Sequence, residues 1–460
     1  MRVLVLMLLL SGMLHGRTPN IVLIVADDLG WSDLSSYGSQ YYETPHVDSL
    51  ARDGISFTAA YACPNCAPTR AALMSGQYAP KTGIYTVGSP NRGLAKFRKV
   101  IAPPNQTELA LGEITIAEIL QRAGYRTAHI GKWHLGGGAH LPTHQGFDVN
   151  IAGNASGSPR GGYFSPYKNP NLKDGPTGEN LTDRLSTEAA RFIAESKDVP
   201  FFLYMCFYAV HTPIQAKPEL VAKWKKKPPV GGQKNPAYAA MVETMDDGVG
   251  RILTALRDNG LERTTVVFFY SDNGGVGGYH RAGVDSREIT DNAPLRGGKG
   301  MLYEGGVRVP LIVRYPGVTA AGSRSDTPVI NVDFYPTLAE IAQAKTDPEQ
   351  DLDGTSFLPL LRGEPGPPRP PLYWHFPVYL QGRASVGAWR TTPGGAIRDG
   401  NYKLIEFFED SRTELYNLRE DISETTDLAA TMPAKAAALH KKLQRWRKAT
   451  GALLVEPLTP

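Results

Sequence analysis

The chain has 460 residues, of which 42% are hydrophobic and 20% charged, and these proportions argue against disordered and fibrous proteins. Its 49 basic and 45 acidic side chains leave a formal net charge of +4 without a basic block, which argues against nucleic acid as a partner. The 48 glycines and 36 prolines are scattered through the sequence and indicate many turns and long ordered loops.

The first segment, residues 1–17, has the features of a secretory signal peptide. Arg2 precedes an apolar run from Val3 to Leu10, which is too short to anchor a chain in a bilayer. The alternative is a buried first strand, but a complete strand pattern follows at Ile21. No later stretch is apolar for long enough to cross a membrane. We therefore expect an exported protein, periplasmic or secreted, without a membrane span.

Apolar runs and amphipathic helical patterns alternate through most of the chain. The apolar runs predict buried strands at Asn20–Ala26, Thr127–Ile130, Pro200–Val210, Thr265–Tyr270 and Val309–Val313. Helical patterns precede three of these runs, at Thr115–Ala123, Thr182–Ser196 and Ala237–Asn259. Thr115 and Glu118 have the spacing of a capping box, which supports a helix start. Strands buried on both faces and separated by helices predict an α/β fold with a large, mostly parallel mixed sheet flanked by helices.

A Pro-rich stretch, Gly363–Pro371, predicts a boundary between a large domain at residues 18–365 and a smaller one at residues 372–460. After it, short alternating strand patterns such as Ala396–Phe408 precede a helical pattern from Ala434 to Lys448. We therefore expect a smaller C-terminal α+β domain with a short antiparallel sheet, packed on the large domain.

Polar or ionisable residues follow four of the predicted strands. They are Asp27 and Asp28, Lys132 and His134, His211, and Asp272 and Asn273. Ligands of open parallel sheets bind outside the carboxyl ends of the strands, so these four groups predict one site. Adjacent carboxylates repel each other unless a cation lies between them, and oxygen ligands favour Ca²⁺, or Mg²⁺, over Zn²⁺. A lone Asp-Asp pair is usually a cap or a turn, but the second pair favours a metal site.

The segment Cys66-Ala67-Pro68-Thr69-Arg70 comes directly before a helical pattern. Pro68 is typical of a first helical turn and places Cys66 at a helix N-terminus, where backbone N–H groups attract an anion. Arg70 adds a planar positive charge suited to a tetrahedral oxyanion. Cys63 and Cys66 also have the spacing of a thioredoxin-like redox pair, but that alternative leaves Pro68, Arg70 and the acidic residues without a role.

Cys66, Pro68 and Arg70 resemble the Cys-x-Pro-x-Arg signature of type I sulfatases, a family with an alkaline-phosphatase-like fold. Five further blocks also match the family, and all six occur along the chain in the family's order: Asn20–Gly30, Gly124–Gly136, His211–Pro213, Ser271–Gly274 and Gly297–Gly306. Two positions depart from the pattern, since Thr69 stands where Ser is usual and Gln77 where Arg is usual. The resemblance implies a sulfuric ester hydrolase whose cysteine, at position 66, is converted to formylglycine by a maturation enzyme.

The resemblance also implies a role for each matching residue. Ca²⁺, with Mg²⁺ as the alternative ion, would be held by Asp27, Asp28, Asp272 and Asn273 together with the residue at position 66. Arg70 and Lys132 would orient the hydrated aldehyde, and His134 would assist collapse of the covalent intermediate. His211 and Lys299 would contact the sulfate and the leaving oxygen.

Two alternatives remain open. A phosphodiesterase or phosphonate hydrolase of the same superfamily uses similar residues, although one metal with Lys and His suits the lower charge of a sulfate ester. An inactive sulfated-glycan binding protein could also keep the fold, but every expected catalytic position is filled here.

An exported protein with a near-neutral charge favours a sulfated carbohydrate as substrate. The segments Tyr373–Gly382 and Thr392–Ile405 resemble those of glycan-acting sulfatases, and aromatic rings and Arg suit sugars. We expect Arg296, from a Gly-rich loop, and His375 and Arg383, from the smaller domain, to form the substrate rim.

Overall fold

The computed structural model describes residues 18–383 and 388–458, so the predicted signal peptide at residues 1–17 lies outside the described residues. The strands, numbered β1 to β17 in chain order, are Asn20–Ala26, Ile55–Tyr61, Val100–Ile101, Arg126–Gly131, Val149–Ile151, Phe201–Cys206, Thr265–Ser271, Arg308–Arg314, Ser323–Ser325, Val329–Ile330, Leu372–Phe376, Leu380–Arg383, Ala388–Thr391, Gly394–Asp399, Tyr402–Phe407, Thr413–Asn417 and Glu456–Pro457. The α-helices, numbered α1 to α11, are Pro45–Asp53, Cys66–Ser75, Ala79–Thr82, Ile116–Arg122, Leu181–Glu195, Pro218–Trp224, Pro236–Asp258, Glu304–Val307, Phe334–Ile341, Leu358–Leu361 and Pro433–Ala449. Among the described residues, no helix combines the length and apolar character needed to cross a bilayer.

The large sheet is mixed and mostly parallel, which confirms the predicted fold class. Its strand order is β10-β2-β8-β7-β1-β6-β4-β5, with β9 paired to β2. The central strand β1 is parallel to both β6 and β7, whereas β8 is antiparallel to β2 and β7. All five predicted buried strands are present, and the fifth is the reversed β8. The sequence did not predict the antiparallel direction of β8, because a continuously apolar strand is buried equally well whether it runs parallel or antiparallel to its neighbours.

The core lies on both faces of this sheet. In β1, Val22 and Ile24 pack toward α5 and α7, while Ile21 and Leu23 pack toward α2, α4 and α9. Burial on both faces explains why β1 is a continuous apolar run rather than an alternating one. The capping box at the start of α4 is also confirmed, because Thr115 and Glu118 exchange hydrogen bonds between side chain and backbone.

A second, antiparallel sheet of order β11-β14-β15-β16 confirms the predicted C-terminal α+β element. Helix α11 covers one face of this sheet, and the other face packs on the large unit through an aromatic cluster that includes Tyr61 and Trp374. A fully buried ion network joins the two units, since Lys403 Nζ lies 2.9 Å from Glu304 Oε1 and 3.0 Å from Glu424 Oε1. The exact domain limits, at residues 365 and 372, stay a prediction.

Candidate active site

Five of the strands that end at one edge of the large sheet lead into the predicted site residues. β1, β4, β6 and β7 are mutually parallel, and β2 has the same direction as β7 because both are antiparallel to β8. β2 leads into α2, whose first residue is Cys66. Contacts at this edge connect the residues predicted for metal binding and catalysis: Asp27, Asp28, Cys66, Arg70, Lys132, His134, His211, Asp272, Asn273 and Lys299.

Three buried carboxylates at this edge are each paired with a cationic side chain. The pairs are Asp27 Oδ2 with Lys132 Nζ at 2.7 Å, Asp28 Oδ1 with Lys299 Nζ at 2.6 Å, and Asp272 Oδ2 with Arg70 Nη2 at 2.8 Å. Burial raises the pKa of Asp27. Burial also acts to raise the pKa of Asp28, but Lys299 and His211 outweigh it and hold that pKa below its usual range. The three opposite-charge pairs leave the site close to neutral overall.

Two buried oxygens at this edge, Asp27 Oδ1 and Asn273 Oδ1, accept no hydrogen bond from any described residue. The Asn273 amide group is oriented by its nitrogen, which donates to Asp28 Oδ1 at 2.9 Å. Ligand atoms of Asp27, Cys66 and Asp272 also lie within 4.8 Å of one another. Buried oxygens without a donor are costly unless a cation satisfies them. Carboxylate and amide oxygens fit Ca²⁺, or Mg²⁺, which is consistent with the expected metal.

Cys66 lies at the start of α2 with 1% of its surface exposed, and burial raises the pKa of its thiol. Its Sγ atom is 3.5 Å from His134 Nδ1. Thr69 Oγ1 accepts a hydrogen bond from the Cys63 N–H at 2.9 Å and donates to Asn65 O at 3.3 Å. The hydroxyl group that Thr69 shares with Ser therefore holds the turn into the helix. Cys63 and Cys66 are both free thiols in this structure.

Two histidines lie beside Cys66. His134 has a φ of 62°, which is uncommon for a non-glycine residue, and its ring lies so close to Gly157 that a Cβ there would be 2.2 Å from His134 Cε1. His211 Nδ1 donates to Thr212 O at 2.6 Å, and its Nε2 lies 3.8 Å from Asp28 Oδ2. Burial lowers the pKa of His134 and lowers that of His211 to about 4, so both rings are neutral at pH 7.

These groups open into a cavity of about 360 Å³, a size typical of small-ligand sites. The described residues that line it are Asn65, Cys66, Val87, Arg92, His134, Gly157, Ser158, His211, Lys299, Leu380, Gln381 and Arg390. None of them is acidic. The cavity therefore presents cationic, imidazole and amide groups to a ligand, as an anionic ester requires.

Two of the three predicted rim residues lie outside this cavity, which corrects the prediction. Arg296 Nη1 donates to Tyr416 Oη at 2.9 Å and so ties a loop of the large unit to the small sheet. His375 is 4% exposed, and its Nε2 donates to Leu453 O at 2.7 Å. Both side chains hold packing contacts instead of facing a ligand. The Arg383 side chain lies outside the described part of the structure.

The polar residues that line the cavity and were missed include Arg92, Gln381 and Arg390. Arg92 belongs to an irregular loop, whereas Gln381 and Arg390 belong to the hairpin of β12 and β13. No motif distinguishes these residues from ordinary surface residues. Only the packing of the hairpin on the Arg92 loop and on the loop at Gly300 brings these residues to the cavity, so the sequence contained no signal for them.

We expect the buried His375 ring to make the free energy of unfolding depend on pH. Burial lowers its pKa from 6.5 to about 4, so its contribution is full above pH 6.5 and is lost as the pH falls toward 4. That shift corresponds to about 3 kcal/mol. We expect His375→Gln, which keeps an N–H donor, to lose less unfolding free energy than the wild type between pH 7 and pH 4.5 in urea titrations. The exposed His144→Gln is the control, and identical acid dependence in all three proteins would contradict the assignment.

Comparisons with known proteins agree with this geometry. A family model described as Sulfatase matches residues 19–344, and one described as N-sulphoglucosamine sulphohydrolase, C-terminal, matches residues 298–449. A Sulfatase from Formosa agariphila is 39% identical and covers 94% of this chain and 89% of its own length. Arylsulfatase A of Homo sapiens is 34% identical over 88% of this chain and 78% of its own.

Solved structures lead to the same family. The structure titled Ps i-CgsB in complex with k-i-k-neocarrahexaose has a TM-score of 0.76 and 32% identity, and the match covers 94% of this chain and 93% of that one. Phosphonate Monoester Hydrolase of Agrobacterium radiobacter, at 22% identity and a TM-score of 0.69, shares the fold. Because the family model spans most of the chain and the relatives match along nearly all of it, the protein belongs to the sulfatase family and is a sulfuric ester hydrolase.

Proposed function

We propose that this sulfatase removes sulfate from a sulfated carbohydrate, using a formylglycine formed from Cys66 and a bound Ca²⁺ ion. The observation that carries the proposal is the pair of donor-free buried oxygens, Asp27 Oδ1 and Asn273 Oδ1, beside Cys66. These oxygens need a cation, and Cys66 opens into a cavity lined by positive and imidazole groups. Mg²⁺ is the alternative ion.

Each absent group would supply one element of the chemistry. Formylglycine at position 66, in its hydrated form, would supply the oxygen nucleophile for the ester sulfur. The ion would be held by Asp27, Asp28, Asp272 and Asn273 with the residue at position 66, and it would supply positive charge to a bound sulfate ester. Maturation of Cys66 requires a formylglycine-generating enzyme, which is the protein partner that this function needs.

The chain's own residues bind and orient the reacting groups. Arg70 and Lys132 lie fully buried behind position 66, where their charges balance the carboxylates and fix their orientation. His134 Nδ1, 3.5 Å from Cys66 Sγ, is placed to take a proton from a hydroxyl group at position 66. Lys299 and His211 line the cavity and are placed to contact the sulfate and the leaving oxygen.

Two features support a carbohydrate substrate. The cavity is wide and polar, with Ser158, Gln381 and two arginines available to hydroxyl groups. Some of the relatives at 30% identity or more carry carbohydrate names, among them N-acetylgalactosamine-6-sulfatase of Rattus norvegicus at 34% identity, over 75% of this chain and 66% of its own length, whereas others are steryl-sulfatases. Export to the periplasm or medium, where sulfated polysaccharides occur, stays part of the proposal.

The function is tested by comparing 4-nitrophenyl sulfate with 4-nitrophenyl phosphate. We expect kcat/KM for the sulfate to exceed that for the phosphate by about 10³-fold, because the described residues supply ligands for a metal ion at one centre only, and a phosphate monoester carries one more negative charge than a sulfate monoester. Sulfate released from sulfated oligosaccharides is then measured by ion chromatography. A dominant phosphatase activity would support the phosphodiesterase or phosphonate hydrolase alternative. Binding of sulfated sugars without sulfate release would instead support an inactive binding protein.

A further inference from the structure

Two arginines from distant parts of the sequence line the cavity that contains Cys66. Arg92 lies in the loop after α3, and Arg390 lies in β13 of the small hairpin β12–β13. Neither side chain lies within 4 Å of a carboxylate among the described residues. Two cations facing one cavity without an acidic partner repel each other unless a bound anion lies between them.

The loop and the hairpin are tightly packed on each other. A Cβ at Gly93 would lie 2.4 Å from the Trp389 ring, and Tyr379 N donates to Pro90 O at 2.8 Å. The Tyr379 and Trp389 rings are 4.8 Å apart. This packing fixes the position of the Arg92 loop relative to the hairpin that carries Arg390.

The hairpin is also fixed against the catalytic loop. A Cβ at Gly300 would lie 2.7 Å from Leu380 Cδ1 and 3.3 Å from Arg390 Cδ, so the hairpin touches the residue after Lys299. Gly300 has a φ of +86°, which favours glycine independently of the space available. The Arg390 side chain therefore lies beside the lysine proposed to contact the reacting sulfate.

Both guanidinium groups are oriented by the protein and keep donors unused. Arg390 Nη2 donates to Ser286 Oγ at 3.2 Å, and its guanidinium lies 4.4 Å from the centroid of the Tyr279 ring. Its buried Nε has no hydrogen-bond partner among the described residues. Arg92 Nε donates to Ser89 O at 3.3 Å, and burial together with the like charge of Arg390 lowers the pKa of Arg92. A preorganised, partly desolvated pair of arginines is suited to binding an oxyanion.

We propose that Arg92 and Arg390 form a second anion site, which binds a sulfate or carboxylate group of the same sugar chain, away from the ester being hydrolysed. The site rests on the proposed function only in that the first anion is the reacting sulfate at position 66. It deepens that function by selecting carbohydrates with at least two anionic groups. Discrimination between substrates then comes from Arg92 of the large domain and Arg390 of the hairpin rather than from Arg296 or His375.

Binding is measured by calorimetry in the Cys66→Ala background, so that turnover does not interfere. The probes are galactose 6-sulfate with one anion, D-glucosamine 2-N,6-O-disulfate with two sulfates, and the chondroitin 6-sulfate disaccharide with a sulfate and a carboxylate. We expect Arg92→Gln and Arg390→Gln each to weaken a two-anion probe about tenfold more than the one-anion probe, since each removes a charge-assisted contact. Arg287→Gln, at an exposed arginine of a neighbouring loop, controls for the change in net charge.

Comparison of the two-anion probes shows which group the site prefers. Equal losses on all three probes would place Arg92 and Arg390 in the pocket of the reacting sulfate and overturn the second site. Equal affinities of the Cys66→Ala protein, with both arginines present, for one-anion and two-anion probes would overturn it as well. The proposed function fails if the unsubstituted protein releases no sulfate. The second anion site still stands in that case if the Cys66→Ala protein binds two-anion probes more tightly than the one-anion probe and loses this preference on Arg92→Gln or Arg390→Gln.

Discussion

Cys66→Ala is expected to lower kcat/KM for aryl sulfate hydrolysis by about 10⁴-fold or more, the loss typical of removing an enzyme's nucleophile. The change removes the side chain that the proposed mechanism requires to be oxidised to the aldehyde. We expect little effect on folding, because Cys66 is a first-turn residue and the hydrogen bond that its Sγ makes among the described residues is a long one, 3.5 Å to His134 Nδ1. Mass spectrometry of the peptide containing position 66 establishes in parallel whether the wild-type thiol has been converted.

Cys63→Ala is the matched control for this experiment. Cys63 is three residues away and also buried, but its Sγ accepts a hydrogen bond from Asn331 Nδ2 at 3.2 Å and does not line the cavity. We expect this variant to lose stability of about 1–2 kcal/mol while retaining most of its activity. Full activity in a protein whose Cys66 is an unmodified thiol would contradict the formylglycine mechanism.

Much of the fold and the centre of the site followed from local pattern. β1 is buried on both faces, so its residues had to be continuously apolar, and parallel strands had to deliver their following residues to one edge. That rule predicted that Asp27 and Asp272 would lie close together although they are far apart in sequence. In the structure, a carboxylate oxygen of each lies within 4.8 Å of Cys66 Sγ, a separation that one ion could bridge.

The parts that could not be predicted depend on long-range packing. β2, Ile55–Tyr61, mixes Ser, Thr and Ala with larger side chains and therefore lacks the continuous apolar signal, yet it positions Cys66. Arg296 was expected at the rim because its loop adjoins the catalytic residues, but its side chain is captured by Tyr416 of the small sheet. Arg390 reaches the cavity because its hairpin packs against Gly300, a contact that no local pattern records.

Removal of divalent cations with EGTA is expected to lower both activity and thermal stability, and added Ca²⁺ is expected to restore both. Three buried carboxylates and three buried or half-buried cations already balance one another in this site, so a divalent ion adds a net positive charge that an anionic ester can neutralise. A bound ion would also satisfy Asp27 Oδ1 and Asn273 Oδ1, which have no donor among the described residues. Saturation at about 100 times Kd would stabilise the fold by about 2.7 kcal/mol, which is measured as a Ca²⁺-dependent rise in Tm.

Asn273→Ala separates this effect from a general loss of stability. Without the amide oxygen we expect the Ca²⁺ concentration that gives half of the Tm rise to increase about tenfold or more, a shift of at least about 1.4 kcal/mol in binding. Asn20→Ala is the matched control, because Asn20 is a buried asparagine at the opposite end of β1, where Nδ2 donates to Thr265 Oγ1 at 3.2 Å. It should lower Tm but leave the Ca²⁺-dependent rise intact. A Tm that does not respond to Ca²⁺ or Mg²⁺ in the EGTA-treated wild type would contradict the metal site, because the two donor-free oxygens would then lack the cation that their burial requires.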